Sequence, residues 1–459
     1  MEERKPKIIV AGMFDTKYTE LNFLAEEVAR AGGDVTTVNL GCGKHVDWTD
    51  VPLQTILDEV GEKEEDIFKM SRADATKIVG EAGAKWVVKE HEKGNVDGII
   101  SWAGSMGTTT VTYLMRALPF GVPKFMLTDM ASGDVSMWLG NKDIYLVNPT
   151  AEQGVNSVTR KQIANAAAAI VAMAKVGEIV VENPRPLMAI TGYGSTTPNV
   201  NRVKDYWDQN GWDTIVIHAV GVGATMEDLI RDGVITAVVD LTPGELTNAM
   251  YGSSNRVPDT WEGERMTAAS DMGIPQIVIP GGLDQAACGP MASLAEYFED
   301  FETGKRKPWK DTKRPYKHNE GVTLMWPTHE EVAEISEYMV EKLNTTTGPT
   351  VFLLPTQGWS AYDQRKEIAT EERGWNGAVG DGTQWDPDPE NPTWSIRARI
   401  MWDVFEEKMD KDNPNFDFIV ADMHIVDKEL GDLTNLIMRD MLEGKWKKGM
   451  YRDYPGVIH

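Results

Sequence analysis

Cysteine is nearly missing from this chain. Its 459 residues hold only Cys42 and Cys288. Two distant cysteines make neither a disulfide framework nor a zinc-spacing motif. Long apolar runs are missing too. The most hydrophobic long stretch, Ala164–Val181, is alanine-rich and broken by Lys175, Gly177 and Glu178. It reads as a packing helix, not a membrane span. The opening MEERKPKIIVAG has no apolar core of signal-peptide length, so the expectation is a soluble, cytoplasmic protein without membrane attachment. Basic residues are in deficit: 46 Lys and Arg against 71 Asp and Glu, a net charge of −25. Such a surface repels nucleic acid and anionic lipid, which excludes a general nucleic-acid-binding role. An anionic small ligand then needs a local positive site. GxSxG, the P-loop GxxxxGK[ST], a full GxGxxG, HxH and HExxH do not occur, which removes the motif-based hydrolase, P-loop, dinucleotide and zincin readings.

What is present is a repeating alternation of short apolar runs and glycine loops. Val96–Ser136 shows it most fully. Val96–Trp102 has strand length, AGSMG (103–107) ends it, and Thr108–Leu118 places Val111, Leu114, Met115 and Leu118 near one helical face. Pro119 stops that helix and Pro123 opens strand Lys124–Asp129. A strand that delivers a glycine loop to a helix start turns backbone N–H groups outward, a usable anion site.

Lys7–Ala11 begins the chain as a buried parallel-type strand. It is followed by Gly12–Lys17, helix Thr19–Ala31 and strand Val35–Leu40. Residues 43–95 read as peripheral helices, Glu64–Ala82 and Ala84–Lys93, parted by Gly83. A long helix spans Ser157–Ala174. At Leu187 the pattern restarts. Gly192 and Thr196 echo Gly12 and Thr16, and strand Thr214–Ala219 follows. Gly273-Ile274-Pro275 echoes Gly121-Val122-Pro123, with Asp284 and Asp134 in the loops beyond. Trp326-Pro327-Thr328 echoes Asn148-Pro149-Thr150. Four echoes in order imply an internal duplication. The expected fold is α/β: two related Rossmann-like, doubly wound domains with mainly parallel sheets and a cleft between them. The expected domains are residues 1–180 and 187–459, the second carrying a Trp/Gly/Asp-rich loop at 357–394 with Trp359, Trp375, Trp385 and Trp394 as lid, local cluster or subunit contact.

Ligands of open parallel sheets bind beyond the carboxyl ends of the strands. There, Gly-Thr/Ser clusters suit phosphate or carboxylate oxygens. Lys17 is the best cation of the first half. Asp15 and Asp134 read either as Mg²⁺ or ribose ligands or as helix N-caps. In the second half His218, Asp284 and His424 are candidates for acid–base work or metal binding, with His318 beside them. His329 reads as a cap or surface residue.

These residues also resemble the Tm-one-like ATP-binding-domain family, whose namesake is a plant protein conferring resistance to a tobamovirus. The resemblance runs through GMFDTKYTE (12–20), GSMGT (104–108), Met115–Lys124, Met130–Val135, Thr196-Thr197-Pro198, His218-Ala219, Leu283-Asp284, His318-Asn319 and Asp422 with His424. Against the family pattern, Met106 replaces a glycine, and Met13-Phe14 and Tyr18 are bulkier. The resemblance implies two α/β lobes, a homodimer or higher homo-oligomer, and ATP at the first lobe. The cofactor residues would be Gly12, Asp15, Thr16, Lys17, Gly104, Ser105, Gly107, Thr108, Ser132, Gly133 and Asp134. Mg²⁺ is expected from the residues themselves, with Asp15 and Asp134 serving the metal. The leading expectation is an enzyme that binds ATP or a similar phosphorylated ligand and acts on a small carboxylated substrate through His218, Asp284 and His424. A metal-assisted hydrolase or lyase of a keto acid is the second, and a non-catalytic binding or inhibitory protein the third.

Overall fold

In the computed structural model, residues 4–177, 183–219, 223–251, 265–300, 305–306, 315–365 and 385–459 are described. The chain divides into two units, Met1–Glu182 and Asn183–His459. Trp375 and residues 366–384 of the 357–394 loop lie outside the described residues, as does Gly221, two positions beyond Ala219. Among the described residues no helix is long and apolar enough to cross a membrane.

The first unit is built on five strands: β1 (Lys7–Gly12), β2 (Asp34–Asn39), β3 (Gly98–Ala103), β4 (Lys124–Thr128) and β5 (Ile144–Val147). All neighbours are parallel, in the order β2-β1-β3-β4-β5. Parallel strands must be covered on both faces, and successive side chains of β1 supply both. Ile8 and Val10 pack with helices Tyr18–Arg30 and Thr159–Val176. Ile9 and Ala11 pack with Arg72–Glu92 and Ser105–Ala117. The Arg72–Glu92 helix runs unbroken through Gly83, where two helices were expected. Gly80 and Gly83 do not break the helix. A β-carbon at either would strike Tyr113 or Leu114 of the Ser105–Ala117 helix, so these glycines permit close helix approach.

The second unit opens with β6 (Leu187–Gly192), β7 (Asp213–His218), β8 (Ile235–Asp240) and β9 (Gln276–Val278). An antiparallel excursion follows: β10 (Ala286–Cys288), β11 (Phe298–Asp300), β12 (Lys305–Arg306), β13 (Tyr316–Lys317) and β14 (Thr323–Met325). The chain returns with β15 (Thr350–Pro355) and β16 (Phe416–Ala421). The main sheet is parallel, in the order β16-β15-β9-β8-β6-β7. The excursion makes a β10-β14-β13 sheet and a β11-β12 ribbon.

Read from its β7 edge, this sheet runs second, first, third, fourth, fifth, sixth, repeating the order of the first unit. Register repeats too: Gly12 pairs with Asn39, and Gly192 with His218. Gly-Val-Pro and Gly-Ile-Pro precede β4 and β9, the fourth strand in each. The last echo does not correspond in space. Asn148-Pro149-Thr150 follows β5 in the parallel sheet, whereas Trp326-Pro327-Thr328 follows β14 in the antiparallel sheet. The fifth parallel strand of the second unit is β15.

Candidate functional site

Strand order reverses direction at the first strand of each unit. A crevice opens at such a switch point because the flanking connections leave to opposite faces. Each unit carries a pocket there.

In the first unit a pocket of about 400 Å³ is lined by the loops after β1, β2 and β3 and by residues 152–153. The Ser105–Ala117 helix starts at Gly104, and no side chain caps it. Its first intrahelical bond is Thr108 N–H to the Gly104 carbonyl, 2.9 Å. The amides of Ser105, Met106 and Gly107 precede that bond and lie on the pocket lining. Gly107 has no room for a β-carbon, which would come within 2.8 Å of the Ala103 β-carbon.

Asp15 is not a helix cap. The following helix has Lys17 at its N-cap position and no side-chain cap bond. Instead Asp15 Oδ2 accepts the Gly43 N–H at 2.8 Å, while its Oδ1 is buried without a hydrogen-bond partner. Gly41 and Gly43 make room for this carboxylate, since a β-carbon on either would collide with it. Lys17 donates to the Glu152 carbonyl at 2.8 Å and faces the Glu152 carboxylate at 3.5 Å. Trp102 Nε1 donates to the same carbonyl at 3.3 Å, and Gly154 N–H donates to Glu20. The 152–154 loop is thus pinned across the pocket rim. Gly12 ends β1 behind the loop, and Thr16 lines the pocket.

Other expected residues stand elsewhere. Thr108 is fully buried, its hydroxyl bonded to the Gly104 carbonyl at 2.8 Å and the Thr128 hydroxyl at 2.7 Å. It ties the helix to β4 and does not reach the pocket. Ser132, Gly133 and Asp134 sit on an exposed turn outside the pocket lining. There Asp134 accepts the Ser136 N–H at 2.9 Å, the local bond of a short polar side chain in a turn. Asp15 and Asp134 therefore do not line this pocket together. Asp129, just after β4, is the carboxylate near Gly104: a β-carbon there would lie 3.9 Å from its oxygens, and Asp129 Oδ1 is buried and unpartnered. Among the described residues no group of three or more His, Cys, Asp or Glu is assembled to hold a metal.

Cys42 and Gly43 line this pocket from the Leu40–Lys44 loop, one of the strand-end loops expected to carry a ligand, whereas Arg72 and Glu152 join it without having been picked out in the sequence. Burial, with the Asp15 carboxylate beside it, pushes the Cys42 thiol up to about 12. It is a neutral thiol, not a nucleophile.

In the second unit the pocket, about 410 Å³, lies beyond β6. Its described lining carries no Asp, Glu, Lys or Arg. His218 and His318 are both on it, with Tyr193, Tyr362, Asn248 and Gln285. His218 ends β7, edge-on to Tyr193 with ring centroids 5.7 Å apart. Partial burial lowers its pKa, opposed by Glu245. His318 Nδ1 lies 3.1 Å from the Tyr362 hydroxyl.

Asp284 and His424 do not line the pocket. Asp284 is fully buried behind Ser360, whose hydroxyl donates to its Oδ2 at 2.5 Å. Burial, then the charge of Asp363, raises the Asp284 carboxyl to about 7. His424 is fully buried as well. Its Nδ1 accepts the Val426 N–H at 3.3 Å, which leaves the proton on Nε2, donated to the Asp363 carbonyl at 3.2 Å. With both ring nitrogens bonded, His424 is a structural neutral imidazole. His329 opens a helix and faces Asp386 at 3.1 Å. Trp359 is core, and Trp394 stacks on Trp402 at 5.5 Å, a local cluster.

The charged groups of this unit sit beneath the pocket. Arg265, fully buried, meets Glu227 at 3.0 Å, Asp240 at 2.8 Å, and Glu245. Arg397 meets Asp363 at 3.0 Å.

Residues 6–178 match the N-terminal domain, and residues 185–376 the C-terminal domain, of the uncharacterised protein family UPF0261. The chain belongs to this family. It is 35% identical over 367 residues to a UPF0261 protein of Clostridium tetani, covering 79% of this chain and 87% of that one. A Rhizobium meliloti UPF0261 protein is 31% identical over 360 residues, 78% of this chain and 85% of that protein. The tomato ToMV resistance protein Tm-1 and its ToMV-susceptible counterpart are each 29% identical over 387 residues, 79% of this chain but 49% of theirs. The UPF0261 chain thus resembles the resistant and susceptible tomato proteins equally. That likeness carries the shared architecture and not the antiviral difference between them.

Proposed function

We propose that the first unit of this UPF0261 protein binds ATP or a similar phosphorylated ligand together with Mg²⁺. The observation that carries the reading is the uncapped start of the Ser105–Ala117 helix in the switch-point pocket. Its free amides and the positive end of the helix dipole suit phosphate oxygens. Lys17 and Arg72 add positive charge on the lining. The unpartnered Asp15 Oδ1 fits a hydrated Mg²⁺ or a ribose hydroxyl, and Asp129 is the second carboxylate suited to the metal. Mg²⁺ would supply neutralisation of phosphate charge. The second pocket, with two imidazoles on its wall, is where a small organic substrate would sit, so the reading leans toward an enzyme.

Lys17→Ala tests it. The variant loses one charged hydrogen bond near the phosphates and removes one of the three ties on the 152–154 loop, leaving those from Trp102 and Glu20. Mg-ATP affinity measured by titration calorimetry should fall about tenfold or more. Unchanged affinity would remove Lys17 from the site, and no Mg-ATP binding by the unaltered protein would end the nucleotide reading.

A non-catalytic binding role is the second reading, supported by the tomato proteins, whose names concern virus resistance and susceptibility. It predicts ligand binding without turnover. Homodimerisation in the cytoplasm belongs to the same proposal. Edge strand β5 exposes Tyr145 and Val147 for such a contact, and light scattering decides the oligomeric state.

A further inference from the structure

The second pocket differs from an ordinary surface hollow in the state of its polar groups. Ser195, Asn248 and Gln285 line it, yet each is at most 6% exposed. Two of the three are held by the protein. Asn248 Nδ2 donates to the Tyr193 hydroxyl at 3.2 Å, and its Oδ1 accepts the Ala287 N–H at 2.6 Å. The Ser195 hydroxyl accepts Gln285 Nε2 at 3.2 Å. The remaining atom, Gln285 Oε1, is buried without a hydrogen-bond partner. A buried amide oxygen left unpaired costs about 1–3 kcal/mol, and Gln285 is a lining residue, so the orphaned acceptor points to a donor arriving with a ligand. Ala287, Cys288, Val322 and Leu324 give the same wall an apolar stretch beside its polar groups. The ligand therefore has a donor edge and an apolar face.

Charge narrows the class further. A carboxylate needs a lysine, an arginine or a cationic histidine, and the described lining has neither of the first two. Partial burial keeps His218 toward the neutral form. Burial, and after it Glu245 and Asp284 beneath the wall, push the Tyr193 hydroxyl toward its protonated form. Buried arginines compensate them: Arg265 beside Glu245, and Arg397 paired with Asp363 next to Asp284. Among the described lining residues, none but the two histidines offers a ligand a charged partner, and His318 already has the Tyr362 hydroxyl 3.1 Å from its Nδ1.

We infer that this pocket is a binding site for an uncharged, amphipathic small molecule, whose N–H or O–H group donates to Gln285 Oε1 while its apolar face lies against Val322 and Leu324. Nothing in it requires a nucleotide at the first unit. It also replaces the carboxylated substrate expected from the sequence with a neutral one.

Three compounds of one shape test this: benzamide, benzoate and benzamidine, titrated into the full-length protein by ligand-observed NMR at pH 8. Methyl benzoate, which has no donor, serves as a fourth. Benzamide should bind at low-millimolar concentration or better. The other three should bind about tenfold more weakly, which is the net worth of one hydrogen bond. Benzoate or benzamidine binding as well as benzamide, or no benzamide binding at about 20 mM, overturns the inference. Gln285→Leu keeps the side-chain size and should cost about tenfold in benzamide affinity. Val322→Trp leaves Gln285 in place and fills the pocket, so it should abolish binding even if the first variant does not fold. Undiminished benzamide binding by a folded Val322→Trp protein would place the compound elsewhere and overturn the assignment.

Discussion

The two units share a strand order and a pocket position but oppose each other in where they keep their charge. The first sets charged groups on the pocket wall: Lys17, Arg72, Asp15 and Glu152 all line it. The second carries no Asp, Glu, Lys or Arg on its wall among the described residues and sinks charges below, in the Arg265 cluster and the Asp284–Asp363–Arg397 group. Topology thus decides where a pocket forms, because connections must part at the switch point. The residues delivered by the loops decide what it can hold. A duplicated framework with divergent loops suits two different ligands.

The sharpest way to break this contrast is to remove the cation under the second pocket. Arg265→Met leaves Glu227, Asp240 and Glu245 buried together without a counter-charge. Each of these is at most 2% exposed, so water does not screen them. Removing one partner from such a cluster costs about 3–5 kcal/mol. Hydrogen exchange should show protection lost in β6 and β8, which the cluster joins through Thr191 and Asp240 at 2.7 Å, while β1 and β3 keep theirs. Equal protection in the variant and the parent would mean that the cluster is dispensable.

A smaller effect follows from Asp284. Its carboxyl is raised from 3.8 to about 7. In that window the folded chain binds a proton that the unfolded chain has released. The favourable contribution of neutral Asp284 is therefore complete below about pH 4 and is lost as pH rises to about 7. Asp284→Asn keeps the shape and cannot ionise. Its stability, measured by denaturant titration across pH 4–8, should lack the decline that the parent shows. Parallel curves would place the Asp284 pKa near its ordinary value and remove the reason to call this unit's charges costly to bury.

Much of the framework was legible in local sequence. Continuous apolar runs ending in glycine identified β1, β3 and β6, because a parallel strand is buried on both faces and its exit turn is tight. The Pro123 and Pro275 strand starts were equally local. Two readings misled for physical reasons. Gly83 marks helix crowding, which depends on Leu114 thirty-one positions later. Trp326-Pro327-Thr328 marks a helix start: Thr328 and Glu331 form a reciprocal cap, a signal any strand-to-helix turn can carry, so it did not report sheet position. The candidate sites were half legible. Glycine loops announced themselves, yet Arg72, Gln285 and Tyr362 reach their pockets only through long-range folding. His424 and Thr108 looked available because sequence does not reveal that their polar atoms are already bonded in the interior.

The smallest expected effect uses the two cysteines, one on each pocket. Cys42 is held as a thiol mainly by burial and secondarily by the Asp15 carboxylate. Only the minor cause can be removed without opening the core. Asp15→Asn takes away the charge but keeps an oxygen for the Gly43 amide. The Cys42 pKa should fall modestly, and its alkylation by iodoacetamide at pH 8 should quicken about threefold, because the thiolate is the reacting form. Cys288 borders no charged lining residue among those described, so its rate should stay constant in the same sample and serve as the internal control. A rise at both cysteines would signal general loosening, and a fall at Cys42 would contradict the electrostatic account. A rise at Cys42 alone would show that charge on the first wall acts locally, the property that separates it from the second unit's wall, which carries no Asp, Glu, Lys or Arg among the described residues.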